Sequence, residues 1–107
     1  MLLDPNIYNS EALAYVLSYT AERGIPVMGF SANLVKAGAL VACSYDAVDL
    51  GAQTGELILD VLSGGPAGEV PAAPPRKIDY VLNTSVAGRL GLKIPQDVID
   101  GASETVK

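Results

Sequence analysis

Gly38-Ala39-Leu40-Val41-Ala42-Cys43-Ser44, followed at once by Tyr45-Asp46-Ala47-Val48-Asp49-Leu50, is the stretch that decides the fold. Seven small or apolar residues without a charge read as a strand covered on both faces, as in a parallel sheet with helices against it. Asp46 or Asp49 then supplies a cap and a favourable charge for a helix with apolar positions Ala47, Leu50, Leu57, Ile58, Val61 and Leu62. Ser63-Gly64-Gly65-Pro66 stops it.

Working outward, residues 25–30 form another short buried strand, ended by Ser31, Ala32 and Asn33, and a helical turn over 34–37 joins the two strands. Before them, Asn9 or Ser10 caps a helix of about three turns with core face Leu13, Val16, Leu17 and Thr20, halted at Gly24 ahead of Pro26. Downstream, residues 66–77 shift to Pro, Ala and Gly, an extended connection with room for a short edge strand around Val70. Residues 78–83 read as a third strand, 84–90 as a short helix ended by Gly91, and 95–102 as a further helical turn or two before a polar, fraying tail. Short buried strands alternating with helices predict an α/β fold: three layers, with a mainly parallel sheet flanked by helices, forming a single lobe over residues 1–107.

Composition narrows the chemistry. With 107 residues, half of them hydrophobic and 18% charged, the chain has apolar material for one core and no room for two domains. No apolar run approaches the roughly 18 residues of a membrane helix. Seven scattered basic residues against twelve acidic ones, a net charge of −5, argue against a nucleic-acid partner. One cysteine and no histidine exclude an intrachain disulfide, a His/Cys metal site and a histidine-based triad, so neither metal nor cofactor is expected. Cys43 reads as a small core residue, Gly51 and Gly55 as close-packing positions on the second helix, and Tyr8, Tyr15 and Tyr19 as half-buried packing residues with wet hydroxyls. The opening Met1-Leu2-Leu3-Asp4-Pro5-Asn6 has neither the basic segment nor the apolar core of a signal peptide and reads as a strand end, so the chain is expected to be a piece of a larger protein.

Ile25-Pro26-Val27-Met28-Gly29-Phe30-Ser31, Lys36-Ala37-Gly38-Ala39-Leu40, and Ser44-Tyr45-Asp46 leading into Asp49-Leu50-Gly51-Ala52-Gln53-Thr54-Gly55-Glu56 together resemble the substrate-binding proteins of ABC importers related to the tryptophan/tyrosine-type group. Tyr80-Val81-Leu82-Asn83 and Leu90-Gly91-Leu92-Lys93-Ile94-Pro95 follow in the order of that family's C-terminal segments, and the resemblance covers nearly the whole chain. It implies a type I periplasmic-binding fold, two flavodoxin-like lobes hinged over a small ligand, of which this chain would be the C-terminal lobe. It further implies a non-enzymatic role: binding an amino acid or similar solute in an interlobe cleft for delivery to ABC permease subunits. The implied location is periplasmic or extracytoplasmic, with a lipid anchor on the full-length protein. A lobe standing alone exposes its interlobe face, through which two copies are expected to pair.

Ligands of parallel α/β sheets bind at the carboxyl ends of strands, which singles out the loops after Leu3, Phe30 and Ser44. The candidate ligand-binding residues are therefore Asp4 and Asn6, Phe30 and Ser31 with Asn33 beside them, and Tyr45 and Asp46 after Ser44. Carboxylates and amides there match an ammonium or a carboxylate, while Phe30 and Tyr45 offer aromatic walls. Each has a structural alternative: Asp4 and Asn6 are turn formers, Ser31 starts a helical turn, Asp46 caps a helix, and the rings pack in a core. A ligand-sensing domain of a membrane signalling receptor is the competing function on the same fold. A flavodoxin-like enzyme or phosphoacceptor ranks lower, because Ser63-Gly64-Gly65-Pro66 follows a helix and Asn83, not an acid, ends the third strand.

Overall fold

The computed structural model describes residues 9–70 and 72–107. The chain divides into two compact units, Met1–Ser44 with Tyr80–Lys107, and Tyr45–Asp79. The elements in order are α1 (Ser10–Glu22), β1 (Met28–Gly29), α2 (Ala32–Ala37), β2 (Val41–Tyr45), α3 (Ala47–Leu62), a 3-10 turn (Ala67–Glu69), β3 (Ile78–Asn83), α4 (Thr84–Arg89), α5 (Gln96–Asp100) and β4 (Glu104–Val106).

The larger unit is an α/β structure whose four-stranded sheet, in the order β1-β2-β3-β4, is flanked by helices. β1 runs parallel to β2, with Met28 opposite Val41, and β3 parallel to β4, with Val81 opposite Glu104. The Asn83 N–H at the end of β3 donates to the Leu40 carbonyl just before β2, 2.9 Å, and the Asp46 N–H just after β2 donates to the Lys77 carbonyl just before β3, 3.3 Å, so the middle pair is antiparallel. The expected parallel pairing thus holds within each outer pair, each built by a helical crossover.

α1 begins where Asn9 caps it, the Asn9 Oδ1 accepting the Ala12 N–H at 2.9 Å. Its expected inward face is correct: Leu17 is buried and packs with Leu34 and Ala39, with Leu13, Val27 and Phe30 around them. Val35, the next residue on α2, enters a second cluster with Ala42 and Val81, against which Ala32 and Val106 pack. Neighbouring positions on one short helix therefore serve two clusters, and α2 joins α1 to the sheet. Gly29 makes this possible: a Cβ there would stand 2.9 Å from the Leu34 Cβ.

Several local expectations are corrected. Residues 25–30 yield only the two-residue β1, with Ile25 and Met28 exposed, because Pro26 has no N–H for a ladder and β1 stands at one edge of the sheet among the described residues. Cys43 is exposed, not core, since the buried partners Val35 and Val81 reach β2 only at Ala42 and its last three residues are uncovered. No strand forms at Val70; the Glu69 N–H closes a 3-10 turn onto the Pro66 carbonyl at 2.9 Å, and Val70 is extended without a ladder partner among the described residues. The polar tail does not fray. Glu104–Val106 pairs with β3, the Ser103 N–H and hydroxyl both donate to the Tyr80 carbonyl, and Glu104 meets Lys36 at 3.0 Å. Tyr15 and Tyr19 are exposed, not packing residues: their rings stack on each other at 6.0 Å and the Arg23 guanidinium lies 3.6 Å from the Tyr19 centroid. Tyr8 lies outside the described residues.

The smaller unit is α3 with the Pro-rich return segment clasped to it. The Arg76 guanidinium spans Asp49 and Glu56, and Gln53 binds the segment at two points, donating to the Pro74 carbonyl and accepting the Arg76 N–H. Both carboxylates hold the Arg76 proton more tightly than usual, Glu56 contributing most. Gly51 and Gly55 do not mediate close packing, because a Cβ at either position meets nothing within 4 Å. Gly51→Ala and Gly55→Ala are accordingly expected to stabilise α3, each by about 0.5–1 kcal/mol, as a higher chemical-denaturation midpoint.

Candidate functional site

A groove of about 590 Å³ runs along α1 and α2 of the larger unit, from the carboxyl end of β1 to Gly38 and Arg89. Leu13, Leu17 and Leu34 give it an apolar wall, and Ser18, Ser31 and Asn33 place hydroxyls and an amide along it. The composition follows from how α1 is patterned. Residues 13 and 17 point inward, while 10, 14, 18 and 21, one helical step aside, are small enough to leave space.

Two of the candidate residues, Phe30 and Ser31, meet in this groove, with Asn33 beside them. Phe30 is half-buried and packs on the Leu17–Leu34–Ala39 cluster, so it is wall and core at once. Ser31 is the extended residue before α2, and its hydroxyl makes no capping bond. Neither it nor the Asn33 amide is bonded to another described side chain. An apolar flank with unspent donors and acceptors suits a small molecule carrying a hydrophobic body and a polar end.

The other candidates stand differently. Asp4 and Asn6 lie outside the described residues. Tyr45 ends β2 as an exposed side chain in the smaller unit. Asp46 is the cap of α3, as its structural alternative held: Oδ1 accepts the Val48 and Asp49 N–H groups at 3.0 Å, and Oδ2 takes Lys77 Nζ at 2.7 Å. Both carboxylate oxygens are thereby engaged, and a ligand amine would compete with Lys77.

The Lys77 hydrogen bond and then the Asp49 amide lower the Asp46 pKa, and Asp46 in turn raises that of Lys77. The contribution of a depressed carboxylate is complete above its ordinary value, 3.8, and is lost as pH falls through the lowered native value. Lys77 contributes fully below its ordinary 10.5 and loses it only as pH rises through its raised value. The protection of the Val48 and Asp49 amides, taken relative to their intrinsic exchange rates at each pH, should therefore be flat through the neutral range and fall below pH 3.8. Asp46→Asn should remove that acid step.

Reasoning from sequence missed Arg89, at the end of α4, and the small α1 residues that open the groove. A lone arginine carries no motif, whereas the run of small residues at positions 10, 14, 18 and 21 was a readable signal.

A family model described as ABC transporter substrate binding protein matches residues 1–106. The chain belongs to that family. ABC transporter substrate binding proteins bind solutes and are not enzymes, which sets aside the enzyme and phosphoacceptor reading. The chain is 29% identical over 72 residues to a tyrosine-binding protein of Clostridioides difficile, a match covering 67% of this chain and 21% of that one. Among solved structures, an ABC domain in complex with L-Trp from Streptococcus pneumoniae shows 28% identity and a TM-score of 0.55, over 94% of this chain and 35% of that one. The ligand-free, open form of a substrate binding protein with adhesive properties from Clostridium difficile shows 25% identity and a TM-score of 0.61, over 91% and 32%. A conserved domain protein from Vibrio cholerae matches at 26% identity and a TM-score of 0.57, over 89% and 32%. The chain thus spans about a fifth of the curated relative and a third of each structure.

Among the described residues no helix is long and apolar enough to cross a membrane, and no group of three or more His, Cys, Asp or Glu side chains could hold a metal ion.

Proposed function

We propose that this chain forms part of the C-terminal lobe of the solute-binding component of an ABC importer, and that the groove at Phe30, Ser31 and Asn33 is its share of a site for an amino acid with a ring-bearing side chain. The observation that carries the reading is the groove itself: an apolar wall beside an uncommitted hydroxyl and amide at the carboxyl end of a parallel strand. Such a surface accepts a hydrophobic side chain and addresses the ammonium or carboxylate beside it. Relatives named for tyrosine binding and solved with L-Trp support the aromatic class. In this reading Asp4, Asn6, Tyr45 and Asp46 remain proposed contributors, and closure over the ligand presents the loaded protein to permease subunits. The protein works outside the cytoplasm, in the periplasm or held by a lipid anchor. The chain by itself pairs with a second copy through its exposed interlobe face, as sedimentation would show in a concentration-dependent mass.

Isothermal titration of the chain with L-tryptophan, L-tyrosine, L-alanine and a purine nucleoside tests the reading. Aromatic amino acids should bind in about the millimolar range, alanine more weakly, and the nucleoside not at all. Equal heats for all four, or binding of the nucleoside alone, would exclude it.

A further inference from the structure

The two parallel strand pairs open in opposite directions, and the second opening is strongly polar. Because β2 and β3 are antiparallel, the carboxyl ends of β3 and β4 lie at the edge where β2 begins, opposite the end of β1 that carries Phe30 and Ser31. Ligand sites of α/β sheets gather at the carboxyl ends of parallel strands. There a hollow of about 470 Å³ is lined by Lys36, Asn83, Ser85, Arg89 and Lys107. In a chain of net charge −5 with only seven basic residues, three of them share this one hollow.

The partners of these groups are unevenly spent. Lys36 meets Glu104 at 3.0 Å, both side chains about half exposed, and Glu104 is the carboxylate paired with this cluster among the described residues. Asn83 is fully used: its Nδ2 donates to the Val35 carbonyl and its Oδ1 accepts the Val86 N–H, so it shapes the wall. Arg89 differs from the other two arginines. Arg23 donates to the Tyr19 carbonyl and stacks on its ring, and Arg76 is held by Asp49 and Glu56, but Arg89 has no ion pair or hydrogen bond with another described residue. A guanidinium is a planar fork of donors matched to phosphate oxygens, and two ammonium groups with a serine hydroxyl complete a setting for a doubly charged oxyanion rather than a single carboxylate.

We propose that this hollow binds a phosphate-class oxyanion, with Arg89 as the principal donor, Lys36 and Lys107 supplying charge and the Ser85 hydroxyl a further bond. It is a second site, at the other edge of the sheet, which shares Gly38 and Arg89 with the far end of the groove along α1 and α2. The ligand chemistry is shared by free phosphate, a soluble phosphate ester and a phospholipid headgroup.

Titrating the isotopically labelled chain with inorganic phosphate at constant ionic strength, with chloride as the control salt, tests the site by amide shifts. Saturable shifts at Lys36, Ser85, Arg89 and Lys107, absent in chloride, are expected, weakened about tenfold in Arg89→Gln. Lys93→Gln, a cation outside the hollow, should leave them unchanged, and Lys36→Gln gives a second reading should Arg89→Gln unfold. Sedimentation with phosphatidylglycerol vesicles but not phosphatidylcholine vesicles, lost in Arg89→Gln, would assign the headgroup source; phosphate binding without sedimentation assigns a soluble one. Shifts that never saturate, that chloride reproduces, that spread equally to Lys77 and Lys93, or that persist in both variants would overturn the proposal.

Discussion

Asn83→Ala is expected to lower the unfolding free energy of the chain by about 2–4 kcal/mol, the largest stability effect of any exchange of one polar residue in the larger unit. Asn83 is 6% exposed and closes two obligations at once. Its Oδ1 accepts the Val86 N–H at 2.9 Å, capping α4, and its Nδ2 donates to the Val35 carbonyl at 3.0 Å, tying the end of β3 to α2. Alanine leaves a helix N-terminus uncapped, at about 1 kcal/mol, and a buried carbonyl unpaired, at about 1–3 kcal/mol. Domains of this size are stable by only about 5–15 kcal/mol, so the urea midpoint should fall visibly. Asn33→Ala is the internal control: Asn33 is exposed and bonded to no described side chain, and its removal should shift stability by no more than about 0.5 kcal/mol. Equal effects of the two exchanges would contradict the assignment of Asn83 as the link between strand and helix.

Ala14→Trp is expected to abolish amino-acid binding while leaving the fold intact. Ala14 is an exposed residue of α1 whose small side chain helps keep the groove open. An indole there would occupy volume otherwise offered to the ligand and cover the Leu13–Leu17 wall, yet it displaces nothing from the buried clusters. Isothermal titration with L-tryptophan reads the loss, and an unchanged urea midpoint shows that the core is preserved. Retained affinity in a folded Ala14→Trp chain would move the site away from the groove.

The parts of this molecule that the sequence disclosed are those held by local pattern. β3 occupies the expected residues, and α1 and α3 start at the expected caps, because capping acceptors, periodic apolar residues and glycine or proline stops act within a few positions of one another. β4 was invisible because Glu104-Thr105-Val106 carries a single apolar residue, and its stability comes from a ladder to Val81–Asn83 and from Val106 against the Val35 cluster. The antiparallel middle pair was unreadable for a similar reason. Thirty-odd residues, those of the smaller unit, connect β2 to β3, long enough for either strand sense.

The candidate site was partly legible. Phe30 and Ser31 are singled out in the sequence because strand ends in α/β folds are where ligands collect, and the structure places both on one groove. What the sequence withheld were matters of distance. Asn83 reaches a carbonyl 48 residues earlier, Arg89 comes to the far end of the groove from a different βα unit, and Asp46 is claimed by a lysine 31 residues later.

The central claim, that the groove along α1 and α2 receives an aromatic amino acid, is tested most directly by an amide-resolved titration of the unmodified chain with L-tryptophan. Saturable shifts are expected, clustered at residues 30–34 and along 10–18, with the Tyr15–Tyr19–Arg23 face of the same helix unmoved at Arg23. Saturating tryptophan that leaves residues 30–34 in place, or that moves them no more than the Arg23 face, would contradict it.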